Sequence, residues 1–109
     1  MKMETHLKYH AFIPREDISF AFIDHLEKKL KEAKFEKSFQ HQDPGGVDVY
    51  RYQKNKVQTI VITRSRSDVA NDELNISSEW DGLPALIDGA ADSFGRDIAQ
   101  IIKRGRVSK

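Results

Sequence analysis

The chain contains no cysteine. That removes a disulfide framework, a thiolate metal site and a cysteine nucleophile together, and leaves the redox compartment open. No stretch approaches the ~18 consecutive apolar residues needed to cross a bilayer. Met1 to His10 carries Lys2, Glu4 and Lys8 and no apolar run, so it reads as neither signal peptide nor anchor. Charge of one sign is not in excess either. Eighteen Lys plus Arg against 17 Asp plus Glu give a formal net charge of +1, so no global field draws the protein to nucleic acid or an anionic membrane. Internal repeats, low-complexity tracts and linkers are absent. A cytoplasmic protein is the default expectation these absences leave.

What is present suits one hydrophobic core. With 109 residues, 39% apolar and 32% charged, the chain has the length of a single domain spanning 1–109 and lies well away from the composition of disorder. The C-terminal end, about 103–109, gathers Lys103, Arg104, Arg106 and Lys109 without an acidic residue and is expected to be a basic, solvated tail.

Local periodicity orders the elements. Leu7, Tyr9, Ala11 and Ile13 alternate with His6, Lys8, His10 and Phe12, a strand ended by Pro14. Asp17 or a neighbour then caps a helix with Phe22, Leu26, Leu30 and Ala33 on one stripe beside Ile23, and Asp24, Glu27, Lys28 and Lys31 opposite. Continuing that rotation would put Phe35 in water, so the helix is expected to stop near Lys34. Phe35 to His41 is then a short extended segment leading into the Asp43-Pro44-Gly45-Gly46 turn. Val47 to Gln53 and Val57 to Arg64 flank Lys54-Asn55-Lys56 as a β-hairpin, because Asn tolerates the positive φ of a tight loop. The second of these strands has apolar groups on both faces, as a central strand does. After a polar loop from Ser65 to Asp72, Leu74, Ile76, Ser78 and Trp80 alternate with polar neighbours in a last strand with one wet face.

Pro84 suits the first turn of a second helix, in which Leu83, Leu86, Ile87, Ala90, Phe94, Ile98 and Ile101 follow the 3.6-residue repeat to about Arg104. Gly89 and Gly95 inside it imply either close approach to a neighbour or a tolerated weakness of about 1 kcal/mol each. The order β-α-β-β-β-α, with one extra short strand at 35–41, predicts an α+β two-layer sandwich. Its sheet is mainly antiparallel, both helices cover one face, and the other face is left open.

Chemistry is harder to find. His6 and His10 have the i, i+4 spacing of a helical zinc site, but on a strand they stand roughly 13 Å apart and cannot share an ion. No metal or other cofactor is therefore expected. Asp68, Asp72 and Glu73 line a loop, and Asp88 and Asp92 share a helix face. The serines lack a nucleophile-elbow sequence, and Pro44-Gly45-Gly46 precedes a strand rather than a helix. No catalytic residue is assigned. The helix-strand-strand-strand-helix order of 17–104 is similar to that of double-stranded-RNA-binding domains, which implies nucleic acid as a partner. The resemblance is of order only, because the start of the second helix, Leu83 to Asp88, has no basic residue and an additional strand precedes the first helix.

The open sheet face is thus the expected functional surface. If Val47 and Val49 face the helices, Tyr50 and Tyr52 face outward. The expected recognition set is then Tyr50, Tyr52, Val61 and Thr63, with Arg51, Arg64 and Arg66 as polar partners. The competing arrangement puts both tyrosines in the core. The expected function is a small non-catalytic binding or accessory protein that recognises another protein, or itself as a homodimer, through this face. The alternative is a nucleic-acid-binding domain that adds Lys103, Arg104, Arg106 and Lys109 to the same surface.

Overall fold

The computed structural model describes residues 7–42, 46–55, 58–66 and 71–108, with 106–108 described by their backbone. Strand β1 (Leu7–Pro14) leads to helix α1 (Glu16–Glu32). Strands β2 (Glu36–His41), β3 (Val47–Lys54), β4 (Gln58–Arg66) and β5 (Asn71–Ser78) follow. Helices α2 (Leu83–Phe94) and α3 (Arg96–Arg104) and a final strand β6 (Arg106–Ser108) complete the chain. The strands form one sheet in the order β2-β3-β4-β5-β1-β6, and every neighbouring pair is antiparallel. The short strand expected at 35–41 is therefore real. Of the polar loop expected over 65–72, Ser65 and Arg66 belong to β4, Asn71 and Asp72 belong to β5, and 67–70 lie outside the described residues. No helix among the described residues is long and apolar enough to cross a membrane.

Strict alternation decides which face is covered. Leu7, Tyr9, Ala11 and Ile13 of β1 are buried and their neighbours exposed. Tyr50 and Tyr52 of β3, Ile60 and Ile62 of β4 and Leu74 and Ile76 of β5 are buried too. All of them join one cluster with Phe22, Ile23, Leu26 and Leu30 of α1 and with Leu83, Ile87, Ala90, Ala91, Ile98, Ala99 and Ile102 of α2 and α3. Every helix thus lies on the same side of the sheet, as the sequence implies, and the opposite side is open. Burial of a large apolar side chain contributes roughly 1.5–3 kcal/mol, so the inward stripe of α1 outweighs its modest intrinsic propensity.

The α1 termini are less regular than its middle. The N-terminal cap is Arg15, at φ 72°, with no side-chain hydrogen bond to the helix. The cap expected at Asp17 or a neighbour falls on Arg15 without a side-chain bond, and the Asp17 carboxylate accepts from Arg15 Nε and Nη2 at 3.1 and 2.7 Å. At the other end Lys34 N–H donates to the Lys31 carbonyl at 3.0 Å, and Phe35 N–H donates to the Leu30 carbonyl at 2.9 Å. With Lys34 at φ 72° this is a Schellman ending. It turns Phe35 out of the helix and into the core, where its ring centre lies 4.9 Å from that of Trp80.

Two expectations for the second helix need correction. It breaks at Gly95 into α2 and α3, because the Gly95 N–H ends one ladder on Ala91 and its carbonyl begins the next with Ala99. The apolar repeat continues across the break, since Ile98, Ala99 and Ile102 reach the same core. Neither Gly89 nor Gly95 has another group within 4 Å of where a Cβ would stand, so neither marks a close approach. Two other glycines do so: a Cβ on Gly82 would run into the Trp80 ring, and one on Gly105 would collide with the His10 carbonyl. The Gly105 carbonyl itself accepts from His10 N–H at 2.9 Å. The segment expected as a free basic tail is, as far as Ser108, the end of α3 followed by a strand on β1.

Candidate functional site

The register of the sheet lays out its open face row by row. Phe12, Glu73, Ser65 and Val47 form one row, and His10, Asn75, Thr63, Val49 and His41 the next. Lys8, Ser77, Val61, Arg51 and Phe39 form a third. The outward residues of the two central strands, Thr59, Val61, Thr63 and Ser65 on β4 and Asn71, Glu73, Asn75 and Ser77 on β5, are half-buried. Those on β1 and β2 are exposed. Short side chains therefore floor the face and longer ones rim it. The exposed large apolar residues among those described are Phe12 at 49%, Phe39 at 44% and Val47 at 44%, and all three belong to this one face.

Polar contacts on the face are local. His10 Nε2 lies 2.9 Å from Glu73 Oε1, and the His10 ring packs edge-on to Phe12 at 5.0 Å. Arg51 sits 5.4 Å over the Phe39 ring. The β2 edge carries a bulge between Lys37 and Phe39, where the Ser38 hydroxyl donates to the Arg51 carbonyl at 3.4 Å. Such a bulge interrupts the row of backbone groups that an added strand would need.

The seven residues expected on this surface divide. Arg51, Val61 and Thr63 are there. Tyr50 and Tyr52 are not: they are 4% and 0% exposed and face the helices, because the ladder sets them opposite Ile62 and Ile60. The Tyr52 hydroxyl donates to Glu27 Oε2 at 2.8 Å. Burial first, then that hydrogen bond and the Glu27 charge, push its pKa well above the ordinary tyrosine range. Arg64 is also turned inward, and Arg66 lies at the end of the sheet with Nη2 donating to Glu16 Oε2 at 2.5 Å. Of the C-terminal basic set, Lys103 donates to Asp92 at 3.0 Å and Arg104 is exposed at the end of α3. The side chain of Arg106 and the whole of Lys109 lie outside the described residues, as do His6, Asp68 and the Asp43 to Gly45 turn.

Arg64 organises a second polar cluster, under the start of α1. Its side chain is 9% exposed, and its nitrogens stand 3.4 Å from Asp48, 3.3 Å from Asp72 and 3.8 Å from Glu16. The Ser19 hydroxyl donates to Asp72. Arg66 pairs with Glu16 as well, so two guanidinium groups meet three carboxylates, and the cluster joins α1, β3, β4 and β5 rather than opening to a ligand. Elsewhere His25 Nε2 lies 2.7 Å from Ser93 Oγ, whose hydroxyl donates to the Ala90 carbonyl at 3.1 Å. That geometry clasps α1 to α2. Among the described residues no group of three or more His, Asp or Glu side chains is placed to hold a metal ion.

No family model and no curated protein sequence matches the chain. Among solved structures, it is similar to part of the exocytosis-sensitive phosphoprotein pp63/parafusin, a phosphoglucomutase from Paramecium, in its open form. The TM-score is 0.57 with 15% sequence identity, over 95% of this chain and 22% of that one. The chain spans about a fifth of that protein's length, and the likeness is one of fold alone.

The expected surface does not include Phe12 or Phe39, and Val47, taken there to face the helices, faces outward. Phe12 is readable from the alternation of β1, whose inward set is Leu7, Tyr9, Ala11 and Ile13. Phe39 is not, because the bulge shifts the facing of β2 by one residue.

Proposed function

We propose that this protein is a non-catalytic binding module that recognises another protein, or its own copy, through the open sheet face. The observation that carries this reading is the gathering of Phe12, Phe39 and Val47 on the one side of the sheet that no helix covers. Exposed apolar side chains scattered singly need no explanation; here every large one among the described residues falls on the one face that no helix covers. Tyr50 and Tyr52 take no part; Arg51, Val61 and Thr63 remain in the surface, joined by the three exposed apolar residues. Charge does not favour the nucleic-acid alternative, since within the strands Lys8 and Arg51 are matched by Glu36 and Glu73 and a phosphate-tracking surface needs an excess of cations.

The test is co-purification with the wild-type chain, the triple variant Phe12→Ser, Phe39→Ser, Val47→Ser, and a control on the outer side of α1, Lys28→Ser. A protein retained by the wild type and the control but lost by the triple variant supports the reading. Equal retention by all three removes it. Retention of nucleic acid that falls with added salt selects the alternative.

A further inference from the structure

We infer that the open face is an interface between two copies of this chain, related by a twofold axis running along β4. The inference rests on the binding role proposed above and names the partner. A twofold contact sets the strand on the axis against itself, so that strand must present no charge to its own copy. The outward residues of β4, Thr59, Val61, Thr63 and Ser65, are all uncharged and short. Among the five longer strands, in the order β2-β3-β4-β5-β1, β4 is the middle one. An axis there exchanges the two outer strands and keeps each row against itself, so the β1 rim of one copy lies over the β2 rim of the other twice in one dimer, with Phe39 against Lys8 and Phe12 beyond the His41 end of β2.

Charge and area agree with this arrangement. The axis lays β3 of one copy over β5 of the other. Arg51 then faces the Ser77 row of the partner, and the acidic Glu73 faces the Val47 row rather than another carboxylate. Lys8 and Arg51 against Glu36 and Glu73 leave the face without a net sign that would repel its copy. Five strands at about 4.8 Å spacing and about 26 Å length give roughly 600 Å² of sheet per copy, or about 1,200 Å² in total. That is the lower bound of stable interfaces and implies a dimer of moderate affinity. Pairing through the β2 edge competes poorly, because of the bulge at Lys37 and Phe39.

Light scattering on the full chain across a concentration series tests this. The expected result is a shift from one chain mass to two with rising concentration. Val61→Arg should raise the dissociation constant more than about tenfold, because two cations then meet on the axis. Thr63→Lys should act alike, while Gln100→Arg on the outer side of α3 should leave the constant unchanged. Far-UV circular dichroism of each variant confirms folding. One chain mass at every concentration would overturn the inference while leaving recognition of a different protein to the co-purification test. A dimer that survives both β4 substitutions but is lost on Ser38→Pro would overturn it in favour of edge pairing.

Discussion

Arg64 holds its guanidinium carbon 4.0 Å from the centre of the Phe20 ring. The ring covers one side of the cation, and Asp48 and Asp72 meet its edge at 3.4 and 3.3 Å. Four elements are thereby tied at one end of the sheet, where the inward row changes from Ile60 and Ile62 to charge.

The energetic sign of this cluster depends on what is removed. Arg64→Leu leaves two buried carboxylates without their counter-ion, and breaking a buried pair in this way costs about 3–5 kcal/mol. Replacing the set together, Arg64→Leu with Asp48→Asn and Asp72→Asn, removes the uncompensated charge and should restore most of that loss. Urea unfolding of the two variants against the wild type measures both effects. Equal destabilisation by the single and triple changes would show that the ion pairs themselves are not the cause.

Glu27 gives the fold a defined response to acid. Burial raises its pKa, but hydrogen bonds from Tyr52 and Lys37 and the charges of Lys37 and Lys31 outweigh burial and hold it below the ordinary value of 4.5. The unfolded chain therefore takes up this proton first as the pH falls. The stability gained is whole above the ordinary carboxylate range and disappears as the pH drops through the folded value. Glu27→Gln should consequently lower unfolding stability relative to wild type at about pH 7, and the gap should close towards about pH 3. A gap independent of pH would assign the loss to packing.

The parts of the fold legible in the sequence are those where alternation has one reading. β1 has apolar residues at odd positions, and α1 has them on one stripe, so the pattern alone decides which side of each is buried. β3 is different. Val47 and Val49 alternate with Tyr50 and Tyr52, so either set could form core, and the ladder with Ile60 and Ile62 of β4 decides it. The candidate site inherits that ambiguity: the face is legible, but part of its membership is not. The inward turn of Arg64 is hidden because a buried cation needs partners on three other elements, and none of them is adjacent in sequence. The break at Gly95 is marked by the glycine alone, since the apolar repeat runs through it.

Lys34 occupies a conformation that favours glycine. At φ 72° a side-chain-bearing residue costs roughly 1–2 kcal/mol, while glycine adds unfolded-state entropy that offsets part of the gain. Lys34→Gly should therefore stabilise by about 0.5–1 kcal/mol, and Lys34→Ala should be near neutral. Thermal unfolding of both variants separates backbone relief from loss of the lysine charge. Stabilisation of equal size in both would point to charge.

Gly105 is fixed by the strand beside it rather than by its own dihedral angles. Its backbone passes so close to β1 that an added Cβ meets the His10 carbonyl, a backbone atom that cannot swing aside. Gly105→Ala must push the end of α3 away from β1 and lengthen the hydrogen bond from His10 N–H to the Gly105 carbonyl, now 2.9 Å. Overpacking of this kind costs about 1–3 kcal/mol. It should also free β6, which pairs with Leu7, Lys8 and Tyr9 immediately beyond. Amide exchange tests this directly: the His10 N–H and the β6 amides should lose protection in Gly105→Ala while those of the β3–β4 ladder keep theirs. Unchanged protection at His10 would mean that the α3–β1 junction yields without cost.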